Sequence, residues 1–159
     1  MSPQLTARLP AASWPDARAV GEPRGPHARE ARMFEIHSVT VDCADPYRQA
    51  LFWSEVTGWQ EDPDDPNNPG DPAGRIVSVQ GINLLFIPVP EGKAVKNRVH
   101  LDLTPTKRSR DEEVARLLGI GATLVDDQRR PDGSGWVVLA DPEGNEFCVE
   151  RSKQERGLT

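Results

Sequence analysis

Chemistry in this chain has to come from a few side chains spaced two apart. His100 and Asp102 alternate with Leu101 and Leu103, and Glu146, Cys148 and Glu150 alternate with Phe147 and Val149. Successive strand side chains point to opposite faces. With the apolar partners turned toward a helix, His100, Asp102 and Thr104 share the other face, as do Glu146, Cys148 and Glu150. Counting back from Asp45 places Val39, Val41 and Cys43 toward a helix and Ser38, Thr40 and Asp42 opposite. Turning His37 inward instead would press Asp42 against apolar side chains, at several kcal/mol. An imidazole, a thiol and carboxylates around one hollow suit holding a divalent cation or moving a proton. The plain alternative is a polar groove mouth whose acids pair with arginine.

Those residues need strands to alternate them and helices to cover their apolar neighbours. Ile36 to Asp42 is β-branched and alternating, in a strand-like run that opens at Met33. Asp45-Pro46 supplies a helix N-cap and N1 proline. Tyr47, Ala50, Leu51 and Val56 then recur at helical spacing, widened by Phe52 and Trp53, up to a stop at Gly58. Residues 61–74 carry Pro63, Pro66, Pro69 and Pro72 and read as a long loop, a lid or rim. Strands are predicted over 75–80 and 83–88, with a tight turn at Gly81. The second half repeats the order: a strand over 98–104, then a helix opened by the capping-box pair Ser109 and Glu112 and closed by Gly119. Val114, Leu117 and Leu118 form its stripe. Strands follow over 122–125, 136–140 and 145–150, separated by a polar loop over 126–135 and the turn Asp141-Pro142-Glu143-Gly144. Strand, helix and three strands, twice over, is an internal repeat of about 60 residues.

Composition narrows the partners. The chain has 159 residues, a size for one domain, and its mean hydropathy of −0.58 leaves a lean core concentrated after Met33. Residues 1–32 hold five Arg against one Asp and two Glu, so the net −6 of the chain leaves −8 on the rest. An acidic domain repels phosphate backbones, which argues against nucleic acid. Cys43 and Cys148 lie far apart without CxxC or Cys/His spacing and read as small buried residues of a reduced compartment. No apolar run approaches a membrane span and the start lacks a secretory h-region, so the cytoplasm is the expected location and no membrane the expected partner. Residues 1–32, rich in Pro, Ala, Arg and Gly, are expected to be a disordered extension. They are a functional tail or an over-long reading frame before a start at Met33. Residues 153–159 read as a C-terminal tail.

The run Asp132 to Cys148, DGSGWVVLADPEGNEFC, resembles the C-terminal signature of glyoxalase-like domains. Arg98 to Leu103, Asp42 to Pro46, Phe52-Trp53 and Gly58-Trp59 are similar to blocks of the same group, in the same order. The resemblance implies a vicinal-oxygen-chelate domain of the glyoxalase, bleomycin-resistance and dioxygenase superfamily over 33–152. Its fold class is α+β: two βαβββ modules, about 35–90 and 98–152, forming a curved mixed-sheet groove with helices outside. The superfamily includes lyases, isomerases, dioxygenases, antibiotic-modifying enzymes and binders, so fold alone does not name a reaction.

Enzymes of this family hold a divalent metal with His and Glu from four inward strand positions. On that pattern His100 occupies the second-half histidine position, while parity puts Ser38 at the first-half one. The strand over 83–88 has no carboxylate, and Cys148 fills the final Glu slot. One of four ligands is kept, so no cofactor of the usual kind is expected. A relocated site from His100, Asp102, Asp42, Cys148 and a neighbouring Glu is the alternative.

Three readings follow. A groove lined by Ser38, Thr40, Asp42, His100, Asp102, Trp136, Glu146, Cys148 and Glu150 would bind or sequester a small organic molecule without metal. A metal-dependent lyase or isomerase of glyoxalase type would use His100 as metal ligand and Glu146 or Asp102 as catalytic base. A vestigial groove would leave a dimeric interaction module, and the resemblance implies a homodimer. Trp53, Trp59 and Trp136 read as core or as walls of an aromatic pocket. Arg129-Arg130 reads as solvated, and no phosphate loop, nucleophile elbow or Ser/His/Asp order occurs.

Overall fold

Val39, Val41 and Cys43 pack toward the core from β1 (Ser38–Cys43) while Thr40 and Asp42 stay exposed, the alternation a half-buried strand requires. The computed structural model describes residues 34–158. The expectations for residues 1–32 and for a strand opening at Met33 lie outside them. From Ile36 onward the chain is one compact unit.

The first half continues with α1 (Pro46–Thr57), β2 (Gly74–Val77) and β3 (Asn83–Pro88). Asp45 caps α1 by accepting from the Arg48 N–H at 3.0 Å, Pro46 occupies the first turn, and Gly58 ends the helix at φ 73°. The buried face of α1 is Pro46, Gln49, Ala50, Phe52 and Trp53. Leu51, expected in the stripe, is 49% exposed. The reason is angular: Phe52 and Trp53 turn the helix so that Leu51 falls beyond the edge of the contact. Gly74 lets α1 approach β2, since a Cβ there would stand 2.5 Å from the Pro46 carbonyl oxygen. β1 runs parallel to β3 and β2 antiparallel to it, giving the order β1-β3-β2. Where a βαβββ module would have a further strand between α1 and β2, the structure has a single bridge between Gln60 and Val77.

The second half comprises β4 (Asp102–Leu103), α2 (Arg110–Gly119), β5 (Thr123–Asp127), β6 (Val137–Ala140) and β7 (Glu146–Val149). Its sheet order is β4-β7-β6-β5, again with the first strand parallel to the last. The capping box forms as read: Ser109 Oγ accepts from the Glu112 N–H and Glu112 accepts from the Ser109 N–H. The strand expected over 98–104 reduces to two residues, because only Leu101 and Leu103 offer carbonyls to β7, accepting from the Cys148 and Glu150 N–H groups at 2.9 and 2.8 Å.

One core joins the halves. Phe52, Trp53 and Phe147 meet edge-to-face or tilted with centroids 5.2–6.4 Å apart, so α1 of the first half rests on β7 of the second. The loop over 61–73 is pinned to β2. Asn67 donates to the Arg75 carbonyl at 2.9 Å and accepts from its N–H at 2.7 Å, while the Arg75 guanidinium pairs with Asp62 at 2.8 Å. Buried Arg110 donates to the Ser134 and Gly135 carbonyls and so fastens the polar loop beside α2. The segment read as a C-terminal tail turns back instead, and Glu155 accepts from the Arg110 and Ser152 N–H groups. Among the described residues, no helix is long and apolar enough to cross a membrane.

Candidate functional site

Register builds the site. β4 pairs with β7 so that Asp102 lies beside Cys148, and Val138 of β6 lies beside Cys148 on its other side. Leu101, Leu103, Phe147 and Val149 turn into the core, which leaves His100, Asp102 and Cys148 on the opposite face. Among the described residues these three form the one group of His, Cys, Asp or Glu close enough to hold a metal ion, with donor atoms all within 4.8 Å of one another. His100 Nε2 stands 3.4 Å from Asp102 Oδ1. The two exposed side chains form the mouth of the cluster and the thiol, 5% exposed, its floor.

The thiol is not a nucleophile as it stands. Burial pushes Cys148 up to about 11; a hydrogen bond to Asp102 and the charges of Asp102 and Glu150 push the same way, against Lys96. At neutral pH it is a protonated donor.

Beside the cluster a hollow of about 460 Å3 opens between the edge of β1 and residues 97–101. Thr40, Asp42, His100 and Glu146 line it. Apolar Val39, Val41, Trp53, Val99 and Leu101 share the wall with Asn97, Arg98 and Asn145. Ser38, Asp102, Cys148 and Glu150, expected in a groove by parity, and Trp136, expected as an aromatic wall, are not part of this lining. The correction is geometric: the hollow follows the gap between two strand edges, so it takes side chains from both faces of β1 rather than one face of each sheet.

Glu146 is committed elsewhere. Its carboxylate accepts from the Asn97 N–H at 3.0 Å and pairs with Lys93 at 3.0 Å. Burial opposes its charge, but the Asn97 N–H and the Lys93 ammonium outweigh it and hold Glu146 down to about 2. A carboxylate that acidic is a poor base at neutral pH. Its work here is to anchor the segment between the halves. Sequence reasoning missed Lys93 and Asn97, whose only signal was their place in that segment.

The signature turn is a clasp. Asp141, 1% exposed, accepts from the Trp53 indole N–H at 3.2 Å and from the Glu143 and Asn145 N–H groups at 3.0 and 2.9 Å. Glu143 in turn accepts from the Ala44 and Asp45 N–H groups at 2.6 and 2.8 Å, at the start of α1. Trp53 is therefore both core and hollow wall. A second hollow, about 540 Å3, lies between the end of α1 and residues 103–108. Its Arg108 and Arg116 both pair with Glu113. Arg129 is not simply solvated, since it pairs with Asp127 and Asp111.

The model of the glyoxalase-like domain family matches residues 38–150. The chain belongs to that family. Solved structures of like fold include a glyoxalase/bleomycin resistance protein/dioxygenase family enzyme from Burkholderia phytofirmans PsJN. It is 20% identical, with TM-score 0.56 over 73% of this chain and 97% of that one. A mutant of the fosfomycin resistance protein FosX from Listeria monocytogenes, in complex with Mn(II) and dihydroxypropylphosphonic acid, is 15% identical. Its TM-score is 0.57 over 80% of this chain and 96% of that one. A glyoxalase-related enzyme from Fulvimarina pelagi is 21% identical with TM-score 0.53, over 73% and 86%. These likenesses concern the fold. No curated protein sequence matches the chain.

The resemblance implies metal ligands from both halves, whereas the group that meets among the described residues, His100, Asp102 and Cys148, comes from the second half alone. The first half offers the Ser38 hydroxyl, and β3 (NLLFIP) has no carboxylate. His37 is exposed and outside the cluster. Cys148, read from the sequence as standing in the final glutamate's slot, meets His100 and Asp102.

Proposed function

We propose that this glyoxalase-like domain binds a small organic molecule in the hollow between β1 and residues 97–101, without the family's two-half metal site. The observation that carries the reading is the hollow itself. Its volume of about 460 Å3 lies in the range of small-molecule sites, roughly 300–1,000 Å3. Val39, Val41 and Trp53 supply an apolar wall, and Thr40, Asp42, Arg98 and His100 supply hydrogen bonds to orient a polar group. A ligand with an apolar body and one polar end fits that division.

The test is a thermal-shift and calorimetric screen of small amphipathic molecules on chelator-treated protein. A hit should bind with equal affinity before and after chelation and be lost in Val41→Trp, which fills the hollow. Binding that disappears with the chelator, or that survives Val41→Trp unchanged, overturns the reading.

The enzymatic alternative is a metal-dependent lyase or isomerase with His100 as ligand. It is favoured by the meeting of His100 with Asp102. Of its two candidate bases, Glu146 is held by Lys93, which leaves Asp102 for the task. Metal-dependent turnover of a bound small molecule that vanishes in Asp102→Asn would favour this alternative over simple binding.

A further inference from the structure

We infer that His100, Asp102 and Cys148 form a three-ligand site for a thiophilic divalent cation of the zinc class, built by the second half alone. The inference goes beyond the ligand hollow and does not need it to be filled. Nor is it the family's set: Asp102 belongs to none of the four family positions, and the first half contributes nothing.

Geometry comes first. In a tetrahedral site with metal–nitrogen and metal–oxygen bonds of 2.0–2.1 Å, nitrogen and oxygen ligands sit about 3.3 Å apart. His100 Nε2 and Asp102 Oδ1 are already 3.4 Å apart. The sulfur lies within 4.8 Å of both, on a β7 strand whose register with Asp102 is fixed by the flanking backbone bonds to Leu101 and Leu103.

Chemistry sets the class of ion. One thiol, one imidazole and one carboxylate favour zinc over magnesium, calcium or manganese, which prefer all-oxygen shells. The surrounding charge favours a cation. Asp102 and Glu150 crowd the thiol with negative charge, against Lys96. Binding exchanges the thiol proton for the cation: the S–H bond breaks, the sulfur–metal bond forms, and the proton leaves to solvent. The exposed mouth at His100 and Asp102 leaves a fourth position open to water or to an incoming ligand.

The test uses the full chain, reduced and stripped of metal, titrated with Co2+ and then back-titrated with Zn2+. The expected result is one Co2+ per chain, with a thiolate-to-cobalt charge-transfer band and tetrahedral ligand-field absorption. Zn2+ then displaces the Co2+. Cys148→Ser removes the charge-transfer band and Cys43→Ser keeps it. His100→Gln and Asp102→Asn, at exposed side chains whose change leaves the fold intact, each weaken Zn2+ at least about tenfold, whereas His37→Ala does not. A missing band in the native chain, a band that survives Cys148→Ser, or Zn2+ affinity unchanged in both His100→Gln and Asp102→Asn overturns the inference. Loss of ligand binding in the hollow with the cobalt band intact strikes the proposed function alone.

Discussion

The two halves are built to one plan and use it differently. β1 is six residues long and fully laddered to β3, yet its outward side chains are Ser38, Thr40 and Asp42. Its counterpart β4 is two residues long, yet it sits beside His100, Asp102 and Cys148. The first half keeps the ladder and lacks strong donors; the second keeps the donors on a minimal ladder. The turns differ in the same sense. Ser78 closes the turn before β3 on itself, its hydroxyl accepting from the Ile82 N–H at 3.0 Å. The turn before β7 reaches across, with Asp141 holding Trp53 and Glu143 holding the start of α1. A repeat that has diverged in this way gathers its donor groups in one half, and the clasp from that half holds the other in place.

Breaking the clasp at its apolar end should have the largest effect. Trp53→Ala removes a buried ring from contact with Phe52 and Phe147 and should cost about 3–5 kcal/mol in urea unfolding. Gly74→Val forces a side chain against the Pro46 carbonyl in the first half and should cost about 1–3 kcal/mol by the same measurement. Removing the polar end of the clasp is milder. Glu143→Ala leaves the Ala44 and Asp45 N–H groups to partly exposed surroundings and should cost about 1–2 kcal/mol.

Acid sharpens the comparison at the link between the halves. A carboxylate held below its ordinary 4.5 contributes stability above that value and loses it as pH falls toward its folded value of about 2. Native protein should therefore lose stability faster than Glu146→Gln between those limits, and Lys93→Ala should narrow the gap. Two parallel pH curves would show that Glu146 does not anchor the segment. The smallest effect belongs to Leu51→Glu on the outer face of α1, within about 0.5 kcal/mol, whereas a cost of 2 kcal/mol or more would restore the helical stripe read from the sequence.

Much of this was legible beforehand because it is local. The alternation of Val39, Val41 and Cys43, the Asp45-Pro46 start, the Ser109–Glu112 capping box and the stop at Gly58 each depend on a few neighbouring residues, and each formed. What misled was range. Leu51 fits a helical stripe, yet the neighbouring ring positions decide which way α1 faces. Residues 98–101 alternate like a strand, yet only Leu101 finds a backbone partner on β7.

By itself the sequence determined the strand-then-helix order of the two halves and the core-facing side of β1, because backbone geometry ties side-chain direction to residue parity. Only the tertiary structure decided which groups meet. Pairing of β4 with β7 set Asp102 beside Cys148, and packing of α1 on Phe147 brought Asp141 to Trp53. Folding of the linking segment gave Glu146 to Lys93. These are contacts between residues tens of positions apart, and a chain specifies them through the packing of the whole core, which no short window of residues contains.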